Sequence, residues 1–217
     1  MYNLLIKELR LGVNPFFYAM PFLTGALMLI PAWLYFIVLL YFCFITIPNM
    51  FAGYKTQNDL IFTNMLPVTK KEIVKAKITV IVLLELMHIV VAMIYGLISV
   101  RLYPNLTYYF FGPSLGFWGL CFVMLAIFNL IFIAMYYKTA YKYGAATIVS
   151  ITAAIVFAGG AEWLGIQNSF VFDLLKGEGL DHLVTQLSIL SMGIVIFAIF
   201  TIIAYHIAIK RFEKVET

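Results

Sequence analysis

Residues Phe16–Tyr54 form a run of 39 residues without one Asp, Glu, Lys or Arg. As a single helix this run would reach roughly 58 Å at 1.5 Å per residue, about twice the ~30 Å hydrocarbon core of a bilayer. It predicts two membrane spans of about 19 residues each, joined by a tight turn near Pro31–Trp33, with Pro21 and Pro48 kinking the helices rather than ending them. Four more apolar runs follow, at 78–100, 114–137, 143–163 and 183–209. The chain is 64% hydrophobic and 11% charged, whereas soluble domains sit near 45–50% and 25%. The expected fold is all-α: a polytopic membrane protein with six transmembrane helices in one domain, residues 1–217.

The charges test that topology. With the N-terminus inside and the sides alternating, the inside holds Lys7, Arg10, Lys55, Lys70, Lys71, Lys75, Lys77, Lys138, Lys142, Lys210, Arg211 and Lys214, and the outside only Arg101 and Lys176. This asymmetry matches the positive-inside bias. Merging the first two spans would strand one of the basic groups on the wrong side. The net charge of +4 is thus a topology signal, and nothing in it calls for a nucleic-acid partner. The expected location is the bacterial cytoplasmic membrane, with both termini cytoplasmic.

Two segments outside the spans carry pattern. In residues 1–11, Leu4, Leu5, Ile6, Leu9 and Leu11 share a broad helical face with Lys7 and Arg10 opposite, which predicts an amphipathic helix lying in the membrane interface. Residues 55–77 are the most polar long segment. Thr56-Gln-Asn-Asp59 and Thr69-Lys-Lys-Glu72 both match the capping-box pattern. Between them Leu60, Ile61, Phe62, Met65 and Leu66 predict a short amphipathic helix that Pro67 ends. The second box opens a helix whose first two turns are expected to project into the cytoplasm with Lys70, Lys71, Lys75 and Lys77. A loop that merely joins two spans needs only a few residues; this one builds either a solvated interfacial helix or a docking element for a cytoplasmic partner.

Catalytic motifs are missing. The sequence has no G-x-x-x-x-G-K-[ST] phosphate loop, no G-x-S-x-G elbow and no H-E-x-x-H helix, so no catalytic, cofactor or metal site is assigned. Cys43 and Cys121 lie within apolar runs and read as small core residues. The exception at membrane depth is Glu85 with His88, one helical turn apart on the third span. A charge there is costly and must face the bundle interior, pair, or be protonated. Three roles stay open: a polar contact between helices or subunits, a cavity or gating role, or proton or metal chemistry. Glu162, beside Trp163, reads as an interface residue.

The stretch Asn58-Asp-Leu-Ile-Phe-Thr-Asn-Met-Leu-Pro-Val-Thr-Lys-Lys-Glu-Ile-Val-Lys-Ala-Lys77, with the N-terminal amphipathic helix and helical hairpin before it, resembles the ABC-2 family of ABC-transporter permeases. It is similar to the small six-span permeases of bacterial peptide exporters such as the phenol-soluble modulin exporters. The resemblance implies a permease subunit of an ATP-driven exporter, paired with a second permease subunit, identical or related. Two separate cytoplasmic ATPase subunits would hold the ATP and Mg. It implies that the helix over Gln57–Leu66 couples to the ATPase, with Gln57, Asp59, Leu60, Phe62 and Leu66 as contacts. The Lys138–Lys142 turn would give a second, smaller contact. Short re-entrant helices often precede the last span in this family, which points to Phe170–Leu175. Cavity walls rich in Phe, Tyr and Met from the first, second and fifth spans would suit amphipathic peptides, with lipophilic small molecules next. The other readings are a structural or regulatory membrane subunit that moves nothing, and a secondary transporter or channel. No internal repeat supports the latter.

Overall fold

The computed structural model describes residues 2–106, 108–139, 142–175 and 182–214, with only the backbone at Leu60 and Asn64. Among these residues there are helices and turns and no strand. In order they are α1 (Tyr2–Lys7), continued by a π-helical turn Glu8–Gly12; α2 (Phe16–Gly25), continued by a 3-10 turn Ala26–Leu29; α3 (Phe36–Tyr41); a π-helical turn Phe42–Thr46; α4 (Ile47–Thr56); α5 (Asp59–Asn64); α6 (Lys70–Leu102); α7 (Leu115–Thr139); α8 (Gly144–Gln167); α9 (Ser169–Leu175); and α10 (Leu183–Phe212).

Among the described residues five helices are each long and apolar enough to cross a bilayer: Phe36–Thr56, α6, α7, α8 and α10. The pair Tyr2–Gly12 and Phe16–Leu29, bent by 70°, is the sixth candidate. The chain folds back within residues 16–54 as expected, but the first arm, Phe16–Leu29, is shorter than the predicted span and reaches spanning length only together with Tyr2–Gly12. That arm ends at Leu29 and the chain turns through residues 30–35, where Ala32 takes a left-handed conformation (φ 54). The second arm stays continuous past Pro48 because the π-turn just before it takes up the extra residue. α6 reaches roughly 50 Å, longer than the ~30 Å hydrocarbon layer.

In lipid, apolar side chains gain little from one another beyond shape, so helix pairs are held by close fit and by polar contacts. The longest fit is between α7 and α10, which run parallel. A Cβ on Gly119 would lie 2.6 Å from the Ile189 carbonyl oxygen, and one on Gly193 would strike the Gly119 carbonyl. The two glycines bring the backbones together there. Phe122 meets Phe197 edge-on (5.6 Å) and Tyr137 meets Phe212 (5.4 Å) further along. Arg211 donates to the Ala134 carbonyl, so both helices end at one level. Lys70 lies over the Phe212 ring at 5.4 Å, which brings the start of α6 to the same end. This end of the bundle, where the basic helix termini gather, is called the charged end below.

α7 is the centre of the bundle: Phe117, Cys121, Met124, Phe128 and Phe132 are fully enclosed. A ladder of rings runs down it to the charged end. Phe128 stacks on Phe132 (5.5 Å), and Phe51 from α4 packs edge-on against Phe132 (4.8 Å) and Tyr136 (4.5 Å). α8 and α10 lie outside this core and keep broad exposed apolar faces. The exposed face of α8 is built from Ile148, Val149, Ile155, Val156 and Trp163, and a Cβ on Gly159 or Gly160 would meet nothing. That corrects the expectation of a Phe-, Tyr- and Met-rich wall on the fifth span, whose exposed apolar face is aliphatic apart from Trp163.

Three local expectations are also corrected. The N-terminal helix does not keep one phase, because the π-turn at Glu8–Gly12 shifts the register. Leu4 and Glu8 face inward while Leu11 is 70% exposed. Thr56 does not cap α5; it ends α4, donating to the Ala52 carbonyl (2.9 Å). Glu162 is buried rather than interfacial, its carboxylate accepting the Phe111 backbone N–H (3.1 Å). The short helix expected at Phe170–Leu175 is α9, whose Leu175 packs near Gly116; residues 176–181, including Lys176 and Asp181, lie outside the described residues.

If the α7–α10 crossing is a backbone contact, Gly193→Leu overpacks it and lowers stability by about 1–3 kcal/mol or more. Gly160→Leu, into open space, leaves it unchanged. Thermal unfolding of the detergent-solubilised variants measures both.

Candidate functional site

The segment between the second and third spans is short and sharply bounded. After α4, Gln57 N–H still reaches the Gly53 carbonyl (3.0 Å) and Asn58 N–H the Lys55 carbonyl (3.2 Å). Asn58 then takes the left-handed conformation (φ 49, ψ 34) and redirects the chain into α5, a geometry Asn tolerates better than most residues. α5 is only six residues, Asp59–Asn64, shorter than the expected Gln57–Leu66. Pro67 follows, and Thr69 opens α6 with the predicted capping box: Glu72 N–H donates to Thr69 Oγ1 (3.2 Å) and Thr69 N–H to Glu72 Oε2 (3.0 Å). The loop is therefore pinned at both ends by backbone chemistry, and α5 is held between them.

The inner face of α5 carries Asp59 and Thr63, both buried. Asp59 meets two cations. Its Oδ2 accepts from Lys77 Nζ of α6 at 2.6 Å, and its Oδ1 from Lys7 Nζ of α1. Lys7 also donates to Thr63 Oγ1 (2.7 Å) and Glu8 Oε1 (3.1 Å), and Lys77 lies 3.4 Å from Glu8 Oε2. Thr63 Oγ1 in turn donates to the Asp59 carbonyl (2.7 Å). Lys77 Nζ sits 3.3 Å from the centroid of the Tyr54 ring at the end of α4, a cation–π contact in a dry place. Two carboxylates and two ammonium groups thus form one neutral network joining α1, its π-turn, α4, α5 and α6. Gly12 lets the elbow close over it: a Cβ there would come within 2.7 Å of the Tyr54 ring and 2.8 Å of Glu8 Oε2.

The network is desolvated. Glu8 is 0% and Lys77 2% exposed. Burial alone would raise the Asp59 pKa, but the charges of and hydrogen bonds from Lys77 and Lys7 outweigh it and hold the carboxyl below its usual range. Burial alone would lower the Lys7 pKa, yet the Asp59 hydrogen bond and the Asp59 and Glu8 charges carry it above the usual lysine range. Both groups therefore stay ionised across all ordinary pH.

The outer face of α5 is apolar and open. Ile61 is 47%, Phe62 56% and Met65 78% exposed, and Leu66 is partly buried. Gln57 is exposed at its start; the Leu60 side chain lies outside the described residues. Beside α5, a cavity of about 350 Å³ is lined by Asp59, Ile61, Tyr54, Phe51 and Tyr136. Of the residues expected to contact a partner, Gln57 and Phe62 point outward. Asp59 does not: it faces inward to Lys7 and Lys77, so it holds the helix in place rather than meeting anything from outside. Lys77, expected in the cytoplasm with Lys70, Lys71 and Lys75, is folded inward for the same reason. Lys138 and Lys142 are exposed at the end of α7, with residues 140 and 141 outside the described residues.

The sequence pattern does not single out Lys7, Glu8, Tyr54, Thr63 or Lys77 as site residues. One signal is present: Lys77 falls on the stripe Ile73, Val74, Lys77, Val80, Ile81, Leu84 that α6 buries, so helical spacing places it in the core. A lysine on such a stripe requires a carboxylate partner.

Deeper in the bundle, Glu85 and His88 part company. Glu85 Oε2 accepts from Asn129 Nδ2 of α7 (2.8 Å). His88 Nε2 lies 2.8 Å from Thr24 Oγ1 of α2 and 3.1 Å from the Val38 carbonyl of α3. Thr24 gives its own proton to the Met20 carbonyl (2.9 Å), so both neighbours of Nε2 accept, and the network assigns the proton to Nε2. One turn of α6 is thereby tied to three other helices. Among the described residues no group of three His, Cys, Asp or Glu comes together as a metal site would require.

A family model described as ABC-2 family transporter protein matches residues 3–213. No curated protein and no solved structure matches the chain.

Removing one member of a buried ion network strands its partner. Lys77→Met is expected to cost about 3–5 kcal/mol by that mechanism, while Lys71→Met, on the exposed side of α6, costs little. Thermal unfolding distinguishes them. The pH dependence follows in sign. The Asp59 contribution is present above about 3.9 and is lost as pH falls through its depressed folded pKa. The Lys7 contribution is present below about 10.4 and is lost as pH rises through its raised one. Between those limits these two contributions are constant.

Proposed function

Since the chain belongs to the ABC-2 family of transporter proteins, membrane components that work with an ABC ATPase and another permease unit, we propose that it is the permease subunit of an ATP-driven exporter. The observation that carries the reading is the two-sided character of α5. Its outer face offers Ile61, Phe62 and Met65 to a partner, and its inner face is bonded through Asp59 to Lys77 on the long helix α6. A partner gripping α5 therefore pulls on α6 directly. Apolar anchors on a short rigid helix are what a protein cleft recognises best. The partner is a cytoplasmic ATPase, which supplies ATP and Mg; two copies serve two permease subunits. The charged end, with both termini, lies on the cytoplasmic side, in keeping with its excess of Lys and Arg. The membrane is the bacterial inner membrane.

ATP binding would draw two such docking helices together, and α6 would carry the motion across the bilayer. The space between permease units would change the side to which it opens, and differing affinity on the two sides does the transport work. The open face of α8, with Gly159 and Gly160, suits close approach by a second permease unit, identical or related. The exposed Phe16, Phe22 and Phe44 of the first hairpin suit an amphipathic or lipophilic cargo, with peptides first.

The test is a pull-down and ATPase assay with the companion ATPase. Phe62→Glu with Met65→Glu should weaken ATPase binding about 30-fold or more, the loss of a hot spot near 2 kcal/mol, and remove transport-linked stimulation while membrane insertion stays normal. Undiminished stimulation in that variant would remove the docking reading and favour a subunit that moves nothing.

A further inference from the structure

On the opposite side of the elbow from the charge network lies a cavity of about 630 Å³, walled by the π-turn of the N-terminal helix, the start of α2 and the outer side of α4. Its polar lining is one-sided. Arg10 is exposed and has no carboxylate partner among the described residues, and the lining holds no Asp or Glu. Glu8, nearby in sequence, is committed to Lys7 and Lys77. The remaining polar groups are amides. Asn14 Oδ1 accepts the Phe16 N–H (2.9 Å), which leaves its Nδ2 free to donate. Gln57 has its whole amide available and is exposed. The start of α2, a ten-residue helix, also opens here and adds its positive end. Asn49, the third amide, spends its Nδ2 on the Ile45 carbonyl (2.7 Å) and offers only its Oδ1, so the preference for an anion is set by Arg10, the one full charge in the lining. Its rim is apolar: Leu11 is 70% and Phe16 53% exposed.

An unpaired guanidinium and amide donors in a cavity rimmed by exposed apolar side chains, on an elbow whose sequence reads as interfacial, match one class of ligand. The geometry points to a binding site for an anionic phospholipid of the leaflet at the charged end. The phosphate takes the fork of Arg10, bidentate as that group favours, with donors from Asn14 and Gln57 beside it. The acyl chains lie along Leu11 and Phe16. A lipid so held fixes the elbow against α2 and α4. This site shares Gln57 with the surface proposed for the ATPase, but its cation and its apolar rim lie on the elbow and α2, so lipid binding is measured without an ATPase present.

Gly53 supplies the test. It lines the cavity from α4, and a Cβ on it would meet nothing within 4 Å, so Gly53→Leu fills the cavity without disturbing packing and with better helix propensity. The purified full chain is titrated in detergent with dioctanoyl phosphatidylglycerol, with phosphatidylcholine of the same chain length, and with inorganic phosphate. Saturable binding of phosphatidylglycerol is expected, about tenfold or more tighter than either of the others. Arg10→Gln and Gly53→Leu should each weaken it about five- to tenfold, the weight of one cation near an anionic lipid, with unfolding temperature unchanged. If Arg10→Gln proves unstable, Gly53→Leu decides alone. Equal binding of the two lipids, or wild-type binding by Gly53→Leu, overturns the site. Inorganic phosphate binding as tightly as the lipid makes it a free-anion site and overturns the lipid. An amphipathic peptide that Gly53→Leu excludes while phosphatidylglycerol binding is untouched gives the cavity to cargo, and likewise overturns the lipid.

Discussion

Four charges cannot be taken out of water unless they neutralise one another in place, and this chain takes four out together. Glu8, Lys7, Asp59 and Lys77 come from three separate segments. Each is tolerable only because the others are there. The elbow, the short helix α5 and the base of α6 are therefore not free to choose their positions independently. Tyr54 and Gly12 complete the enclosure, one with its ring face, the other by having no side chain. Much of the geometry at the charged end follows from this single requirement.

The requirement also explains how a helix of six residues could serve as the handle proposed above. Isolated helices of that length do not hold their shape in water. α5 is stabilised from its inner face, by Asp59 and Thr63, which leaves its outer face apolar and unengaged. α6 has 33 residues, well beyond the roughly 20 that a span needs. It starts from a capping box and is tied at depth to α7 through Glu85–Asn129 and to α2 and α3 through His88. A pull on α5 is delivered to a helix whose other contacts include polar, directional ones. That is the mechanical content of the proposed permease role.

Much of this is legible in the sequence wherever the signal is local. The turn within the charge-free run at residues 16–54 and the box at Thr69–Glu72 depend on a few neighbouring residues, and the structure has both, whereas α5 ends at Asn64, before Pro67 could stop it. What is illegible depends on phase or on distant partners. The π-turn at Glu8–Gly12 shifts the elbow's register, so Leu11, expected on the apolar face, points outward and Glu8 points in. The resemblance makes Asp59 a contact for a partner, and no local pattern points to its two lysines, which lie 52 and 18 residues away. The charge of Lys77 argues for solvent, although its position on the buried stripe of α6 argues otherwise. Thr56 matches a capping pattern by composition alone, but left-handed Asn58 begins the helix two residues later.

A handle and a lever require α5 and α6 to behave as one body through Asp59 and Lys77, and a double-mutant cycle reads that directly. Stability is measured for the parent, Asp59→Asn, Lys77→Met and the double variant, all as detergent-solubilised full chain. A coupling energy of about 1–3 kcal/mol is predicted, the double variant losing much less than the two singles added together. Additivity to within about 0.3–0.5 kcal/mol would mean that the two helices do not feel each other through these charges, and α5 could not then drive α6.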